Sequence, residues 1–440
     1  MPCYGYNATY MEISMYLKYN RYEESERIRK LGMVIPFSNT ERMNFACPRL
    51  WSYSHVENYK TSEKGAALSY GIIWHKLLEN MINVLSEEDN FRDIVWVENY
   101  VSENIDPIIE NYYMENANEE TLNESFLYGT IQEIRERIVN AIPGWYTAWI
   151  ELMEKFKVLY VELVVAAPVV NHTGKIIEFP TYVYKEDDYL RPSRTGESTD
   201  SELKNIPYYK IGKIDVLLQD RETGDLWICD HKTSSSPAQY ESNLSFDVQL
   251  PSYASLLDYE ISSGTLQHLK EHKVVGVIYD ISHSKVKGIP KLLKSGKLSV
   301  AKNAGNTSWI LKKAIEHYGL KENDYKAHIE FLKNNLDPKR NFHRYFYLNE
   351  EDLERCIDED YGIALSMSSK RKSLVEIESD NIMKFNAISY RYPICQKYGN
   401  CTFSSFCLAN SPPPVINLDK EDRIKWTTKM ESTQVDDLPF

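Results

Sequence analysis

Residues 213–253 constrain the fold more than any other stretch of the chain, because acidic residues there lie inside runs of apolar ones. Residues 213–219 and 226–233 each have the apolar composition of a strand. The segment between them is polar and contains Gly224, which is typical of a hairpin connection. The sequence therefore predicts two antiparallel strands, followed by a loop and the start of a helix.

The predicted hairpin brings three charged side chains together. A turn centred between residues 222 and 223 places Asp215 of the first strand opposite Asp230 of the second. Because strand side chains alternate between faces, Asp230 and Lys232 share one face and His231 points away from them. Two carboxylates and an ammonium group are thus expected to converge on one patch.

Acids inside an apolar strand pair need partners, because an unpaired buried charge loses its hydration. Two neighbouring carboxylates also repel each other, and a divalent cation relieves that repulsion. Hard oxygen ligands of this kind suit Mg²⁺ or Mn²⁺. The simpler alternative is a salt bridge between Lys232 and one acid, with the other acid at a strand end. An isolated D-x-K tripeptide would favour that alternative.

Two further pairs of residues extend the pattern. Gln249 and Tyr253 lie four residues apart on a predicted helix, so both side chains share one face of it. Gly71 and His75 form a G-x-x-x-H on an apolar predicted helix over residues 65–85. A single histidine on such a helix is more often a packed core residue than a ligand.

The order of these residues along the chain resembles that of the PD-(D/E)XK nuclease superfamily, and most closely its RecB/AddB-type exonuclease domains. The residues that carry the resemblance are His75, Asp215, Asp230, Lys232, Gln249 and Tyr253. The similarity extends from about residue 37 to residue 407. It implies an α/β fold with a restriction-endonuclease-like core, in which helices flank a mixed sheet, and large helical insertions.

The resemblance also implies a role for each of these residues. The ligands of Mg²⁺ or Mn²⁺ would be the side chains of His75, Asp215 and Asp230 and the main-chain carbonyl of His231. Lys232 would position the attacking water and stabilise the negative charge that develops. Gln249 and Tyr253 would orient Lys232 or contact the DNA backbone.

A metal-dependent deoxyribonuclease is the function that this resemblance implies. It would act as an exonuclease on DNA ends or single strands, leave 5′-phosphates, and serve recombination, repair or replication. The alternative is a catalytically silent subunit that binds DNA or assembles a complex while it keeps the fold and a metal cluster. The complete set of site residues argues against that alternative.

Seven cysteines in a chain expected to be intracellular favour metal or core roles over disulfides. Cys395, Cys401 and Cys407 follow one another at six-residue steps, and Cys47 lies far upstream. Spacing alone leaves a zinc site, a 4Fe–4S cluster and unligated cysteines open. The resemblance implies a 4Fe–4S cluster held by these four residues, because in its iron–sulfur members one cysteine precedes the nuclease core and three follow it. The gap from Cys395 to Cys401 is wider than is usual in that family.

The net charge of −13 argues against a surface that is basic throughout, although it allows a local basic groove. Residues 281–315 contain eight lysines and no acid. In this segment Lys291, Lys294 and Lys297 are candidates to neutralise DNA phosphates, and Trp309 is a candidate to stack on a base. A solvated lysine-rich loop is an equally good interpretation.

The chain is expected to form a single nuclease domain over residues 1–410, followed by an extended tail over residues 411–440. Three parts of the domain are interpreted as additions to the core: a helical insertion at about 86–157, a basic loop and helical insertion at about 282–340, and a cysteine-rich closure at 391–408. Residues 173–207 are polar and predict a loop. Glu162 interrupts an apolar predicted strand, and an edge-strand residue is favoured over a further acid of the site.

No run of about twenty apolar residues is present, so no membrane span is expected. The N-terminal residues lack the apolar core of a signal peptide, which predicts a cytoplasmic, intracellular protein. The family resemblance implies a bacterial or phage-encoded protein. Residues Asp436–Phe440 look like the C-terminal tip of bacterial single-stranded-DNA-binding proteins, which docks partner proteins. This likeness implies recruitment of replication or repair proteins, and an ordinary frayed terminus is the alternative.

Overall fold

The structure is a computed structural model. It describes residues 35–52, 59–61, 66–88, 92–116, 124–171, 173–186, 189–193, 201–242, 244, 247–286, 288–301, 307–335, 337–376 and 426–428. The predictions for Cys395, Cys401 and Cys407 and for the tip Asp436–Phe440 fall outside these residues.

Groups of helices and groups of strands follow one another along the chain. The helices are α1 (Asn39–Asn44), α2 (Pro48–Trp51), α3 (Ala66–Glu88), α4 (Ile94–Asn116), α5 (Glu124–Met153), α6 (Pro237–Glu241), α7 (Gln249–Ser262), α8 (Ser308–His317), α9 (Lys326–Asn335) and α10 (Glu350–Glu376). The strands are β1 (Ile35–Phe37), β2 (Tyr59–Thr61), β3 (Phe156–Pro168), β4 (Glu178–Glu186), β5 (Tyr189–Ser193), β6 (Ser201–Asp220), β7 (Leu226–Ser234), β8 (Val274–His283), β9 (Asn341–Tyr347) and β10 (Trp426–Thr428). Among the described residues, no helix combines the length and the apolar character needed to cross a membrane.

Eight strands form one mixed sheet around the long strand β6. The strand order is β5-β4-β6-β7-β8-β9, and β1 and β3 also pair with β6. β7 runs parallel to β8 and β1 runs parallel to β6, whereas the other pairs are antiparallel. This mixed sheet flanked by helices confirms the expected α/β fold. β2 and β10 form a separate two-stranded sheet.

Helices cover both faces of this sheet. On the first face, α3, α4 and α5 form one core cluster that contains Trp74, Trp145 and Cys229. On the second face, α7 buries Leu257 against Ile228. Each such fully buried large apolar side chain contributes about 1.5–3 kcal/mol to folding. Ile228 and Cys229 are neighbours in β7 and belong to opposite cores, as the two-residue period of a strand requires.

The hairpin between β6 and β7 forms in the predicted register. Val216 pairs with Cys229, and the ladder continues from there to the turn. Extending the same register by one residue sets Asp215 opposite Asp230, as the sequence predicted. The first active-site expectation, two acids on adjacent strands at the same level, therefore agrees with the structure.

The turn of this hairpin is stabilised by one side chain. The Asp220 carboxylate accepts the backbone N–H groups of Glu222 and Thr223 at 2.8 and 2.9 Å. Gly224 follows with a φ of +79°, a conformation that a residue with a Cβ rarely adopts. An aspartate and a glycine at these two positions therefore hold the register of the strands.

The polar segment 173–207 contains strands, so the prediction of a loop there is wrong. β4 pairs with the first part of β6, and β5 pairs with β4. The pairing is made by main-chain hydrogen bonds, which a polar sequence satisfies as well as an apolar one. The predictions of helices over residues 65–85 and within residues 86–157 agree with α3, α4 and α5.

A buried ion cluster joins α1, β6, α7 and α10. The Asp360 carboxylate accepts hydrogen bonds from Lys210 Nζ at 3.1 Å, Arg42 Nη1 at 2.6 Å and Ser252 Oγ at 3.0 Å. Lys210 Nζ also donates to Asn39 Oδ1 at 2.7 Å. Burial lowers the pKa of Lys210, and the Asp360 carboxylate opposes that shift. The cluster thus holds four elements around the strand that carries Asp215.

Candidate active site

The candidate site begins where the β6–β7 ladder ends. The last main-chain pair of that ladder is Val216 with Cys229. One step further, the backbone N–H of His231 donates to Asp215 Oδ2 at 2.8 Å. A side-chain carboxylate thus takes the place of a strand carbonyl as acceptor, which satisfies the N–H and fixes the orientation of Asp215.

His75 approaches Asp215 from α3. The distance from His75 Nδ1 to Asp215 Oδ2 is 3.3 Å. Burial alone would raise the pKa of Asp215, but His75, His231 and Lys232 outweigh it and hold that pKa below its usual range. Burial would likewise lower the pKa of His75, and the Asp215 carboxylate reverses that effect and raises it. The predicted pairing of the G-x-x-x-H histidine with the site is therefore present.

Asp230 and Lys232 share a face of β7 and form an ion pair. Lys232 Nζ lies 2.6 Å from Asp230 Oδ2, and the Lys232 side chain is 20 % exposed. Burial raises the pKa of Asp230 to about 6; Lys232 opposes this rise and Asp215 adds to it. Burial would lower the pKa of Lys232, but Asp230 outweighs it and raises that pKa. The environment thus moves the pKa values of the two carboxyls in opposite directions, so that Asp215 is the stronger acid and Asp230 the weaker one.

Helix α7 supplies a second partner for Lys232, and a further residue of the same helix that holds this partner in place. Lys232 Nζ donates to Gln249 Oε1 at 3.1 Å, and Gln249 Nε2 donates to Tyr253 Oη at 3.1 Å. Gly212 of β6 lies against the Tyr253 ring, where an added Cβ would approach a ring atom to 2.4 Å. Glycine is therefore required at that position for the ring to stay in place. The structure brings Gln249, Tyr253 and Lys232 together as predicted.

Glu162 lies beside this arrangement in β3. The pairs on either side of it, Val161 with Val216 and Leu163 with Ile214, set it level with Asp215. Its φ of 58° is positive, a backbone conformation that costs of order 1–3 kcal/mol for a residue with a Cβ. Its carboxylate forms an ion pair with Lys213. Within the described part of the chain β3 pairs with β6 alone, in keeping with an edge-strand position.

The donor set has the chemistry that a hard divalent cation prefers, because Asp215 and Asp230 present carboxylate oxygens at the same level of adjacent strands. Among the described residues, however, no group of three His, Cys, Asp or Glu side chains is arranged to hold a metal ion. His75 lies beside these two carboxylates: its Nδ1 is 3.3 Å from Asp215 Oδ2, and the Asp230 carboxylate also raises its pKa. A cation here would therefore need main-chain oxygens or water for its other positions, as Mg²⁺ commonly does.

One buried acid was not identified from the sequence. Asp280 of β8 accepts hydrogen bonds from Trp145 Nε1 and His231 Nδ1, each at 2.6 Å. His343 Nε2 of β9 lies 3.3 Å from its other oxygen. Burial would raise the pKa of Asp280, but the two histidines lower it below its usual range. The only signal in the sequence was an acid inside the apolar run of β8.

The residues predicted to contact DNA lie in two different environments. Lys291, Lys294 and Lys297 are exposed around a tight turn in which Gly296 has a φ of +76°. Trp309 is partly buried and packs against the first-face core. The lysines are therefore free to meet phosphates, whereas little of the Trp309 ring is open for a base to stack on.

Of the four cysteines expected to hold a metal cluster, Cys47 is within the described residues. It is buried directly before α2, at its N-terminal end, and forms no disulfide with another described cysteine.

A sequence model of the PD-(D/E)XK nuclease superfamily matches residues 43–407, a span that includes every residue of the site described above. No curated protein matches the chain in sequence.

Proposed function

Because this chain belongs to the PD-(D/E)XK nuclease superfamily, we propose that it is a metal-dependent deoxyribonuclease whose catalytic side chains are Asp215, Asp230 and Lys232. The observation that carries the proposal is the contact of Lys232 with both Asp230 and Gln249, at 2.6 and 3.1 Å, beside the hairpin level that Asp215 occupies. A lysine that formed a structural salt bridge and nothing more would need Asp230 as its sole partner. Here the side-chain amide of Gln249, from a separate helix, also orients the ammonium group.

In the proposed reaction the side chains of His75, Asp215 and Asp230 would hold the cation, with the main-chain carbonyl of His231 as a further ligand. A bound divalent cation offsets negative charge on the scissile phosphate and lowers the pKa of water. Lys232 positions the attacking water and stabilises the charge that develops on the phosphate. Gln249 and Tyr253 keep the ammonium group in place through the two 3.1 Å hydrogen bonds. In-line attack leaves a 5′-phosphate and a 3′-hydroxyl.

The proposed activity is exonucleolytic, on DNA ends or single strands, and serves recombination, repair or replication in the cytoplasm. The Gln249–Tyr253 pair on α7 supports this, because the RecB/AddB-type domains that the chain resembles carry the same Q-x-x-x-Y pattern. Recruitment of partner proteins by Asp436–Phe440 stays a prediction.

The test uses the purified full chain with one DNA in two forms, end-labelled linear and covalently closed circular. We expect Mn²⁺ or Mg²⁺ to support degradation of the linear form alone, with 5′-phosphorylated products, and EDTA to stop it. Cutting of the circular form would show an endonuclease instead. Binding of the linear form without cleavage under either cation would support the silent-subunit alternative.

We further propose that the exposed lysines 291, 294 and 297 contact DNA phosphates. None of the three pairs with an acid among the described residues. In the same segment, Lys312 pairs with Glu322 at 3.7 Å and Lys313 with Glu98 at 3.5 Å. The three exposed lysines can therefore meet phosphates without first breaking an ion pair.

Replacing Lys291, Lys294 and Lys297 together by alanine should weaken DNA binding and flatten its salt dependence. Each phosphate contact adds about 0.7–0.9 to the magnitude of the slope of log K against log salt. The slope of the triple variant should therefore be smaller in magnitude by about 2–3 than that of the wild type. The measurement is fluorescence anisotropy with labelled DNA over a range of salt concentrations. The double variant Lys312→Ala/Lys313→Ala is the control and should keep the wild-type slope. An unchanged slope in the triple variant would show that these three lysines do not contact DNA phosphates.

A 4Fe–4S cluster held by Cys47, Cys395, Cys401 and Cys407 is also part of the proposal, with zinc as the alternative. Protein purified without oxygen should be brown and contain iron and sulfide, and Cys407→Ala should lose the iron. Cys356→Ala is the control, because Cys356 of α10 is a buried cysteine outside the proposed ligand set and forms no disulfide with another described cysteine. A colourless wild-type protein that contains zinc would decide for the alternative.

A further inference from the structure

A buried polar cluster lies behind the D-x-K segment, on the opposite face of β7 from Asp230 and Lys232. Its centre is Asp280, which is 1 % exposed and whose Oδ2 accepts from both Trp145 Nε1 and His231 Nδ1 at 2.6 Å. His343 Nε2 approaches the other carboxylate oxygen to 3.3 Å. Two donors, from α5 and β7, and the imidazole of β9 thus surround a single carboxylate of β8.

His231 links this cluster to the site. It is the residue between Asp230 and Lys232, and its backbone N–H donates to Asp215 Oδ2 at 2.8 Å. Its imidazole is buried, and Nε2 has no hydrogen-bond partner among the described residues. The bond to Asp280 is therefore the one hydrogen bond that anchors this ring within the described part of the chain.

Packing around the ring fixes its position but not its rotation. The rings of Trp145 and Trp149 lie 6.0 and 5.6 Å from that of His231, centre to centre. Apolar packing of this kind is non-directional, whereas a hydrogen bond to a carboxylate has a preferred direction. The ring belongs to the residue whose backbone N–H donates to Asp215 Oδ2, so an anchored ring restrains the main chain of residue 231 and, with it, that hydrogen bond.

A buried carboxylate such as that of Asp280 is not expected to add much to the stability of the fold. Replacing a buried ionic group by well-packed apolar residues is often neutral or stabilising. β7 and β8 are already paired in parallel at this level, His231 with Asp280, by their main chains. The carboxylate adds a directional contact to a residue that the strand pairing has already brought into register.

We propose that Asp280 is a positioning residue of the site: by holding the His231 imidazole, it sets the orientation of the peptide segment 230–232 and therefore the cation affinity of Asp215 and Asp230. This inference rests on the proposed function, since it assumes that these two carboxylates bind a divalent cation. Asp280 acts through His231 and touches neither the cation nor DNA. Removing an outer partner of this type commonly costs 10–100-fold in metal affinity.

The test measures Mn²⁺ affinity of the resting protein by electron paramagnetic resonance, without DNA and without turnover. We expect Asp280→Asn and His231→Phe each to weaken Mn²⁺ binding by about 10–100-fold. The double variant Asp280→Asn/His231→Phe should bind no more weakly than either single variant, because both remove the same contact. In the nuclease assay, a high Mn²⁺ concentration should restore most of the activity of the single variants.

Trp145→Phe is the matched control. It removes a donor from the same Asp280 oxygen but leaves the contact between Asp280 and His231. It should lower the thermal stability in the same way as Asp280→Asn and keep the wild-type Mn²⁺ affinity. Equal loss of affinity in Trp145→Phe, or wild-type affinity in both Asp280→Asn and His231→Phe, would overturn the inference.

The proposed function is tested separately in the same series. Asp230→Asn should abolish Mn²⁺ binding, because it removes a proposed ligand. If the wild type binds no Mn²⁺, or if Asp230→Asn binds it equally well, the cation site and the inference built on it both fail. If Asp230→Asn alone loses binding, the site stands and the positioning role of Asp280 is refuted.

Discussion

Lys232→Ala should abolish DNA cleavage and leave DNA binding in place. Lys232 Nζ lies between Asp230 Oδ2 and Gln249 Oε1, at 2.6 and 3.1 Å, so alanine removes the one ammonium group that both of them orient. In the proposed mechanism this group stabilises charge that exists in the transition state alone. Removing one such donor typically costs 100–1,000-fold in rate, so we expect a loss of at least about 100-fold. DNA binding should persist because phosphate contacts made elsewhere supply most of the affinity.

The measurement is single-turnover cleavage of end-labelled linear DNA with Mn²⁺, together with anisotropy of the same DNA in EDTA. Lys76→Ala is the matched control. Lys76 follows His75 on α3, and it pairs with Glu79 at 2.9 Å with 48 % of its side chain exposed. That variant should cleave at the wild-type rate. Full activity of Lys232→Ala would overturn the assignment of the D-x-K lysine.

The second large effect concerns stability. Asp360→Ala leaves Lys210 and Arg42 without the carboxylate that lies 3.1 and 2.6 Å from them. The side chains of Lys210 and Asp360 are 3 % and 7 % exposed, so the charge of Lys210 stays in surroundings that bulk water barely reaches. Removing one partner of a buried ion pair costs about 3–5 kcal/mol, because the remaining charge stays buried. In urea unfolding, the free energy of unfolding should fall by that amount, while its dependence on urea concentration stays the same as in the wild type.

Glu359→Ala is the control for this prediction. Glu359 is the preceding residue and also pairs with Arg42, at 2.6 Å, but 43 % of its side chain is exposed. An exposed ion pair contributes about 0–1 kcal/mol, so this variant should unfold close to the wild-type midpoint. Equal effects of the two substitutions would show that burial does not decide the contribution of Asp360.

Local patterns determined which residues form the site. The polar turn before β7 and the two-residue period of the strands set Asp215 opposite Asp230 and put Lys232 beside it, and both features belong to neighbours in sequence. The contact between Gln249 and Tyr253 was likewise predictable, because residues four apart on one helix lie on the same face of it. These contacts were predictable because backbone geometry relates residues within a single element or a single hairpin.

The polar strands β4 and β5 were missed for a related reason. β4 contains Phe179, Tyr182, Val183 and Tyr184, residue types that favour strands. The polar residues on either side of them outweighed that signal, and the main-chain pairing of β4 with β6 and of β5 with β4 is not visible in the sequence. Such pairing carries no signature in the residue types, because every non-proline residue offers the same donor and acceptor.

The sequence by itself therefore determined the fold class, the hairpin register and which acids and lysine meet at the candidate site. Tertiary structure alone decided what holds them. The bond from His231 to Asp280 joins residues 49 positions apart, and the one from Lys210 to Asp360 joins residues 150 apart. Such contacts form where the sheet and its helices close around a common core. The residue types tolerated there depend on the complete packed surroundings, which no short stretch of the chain contains.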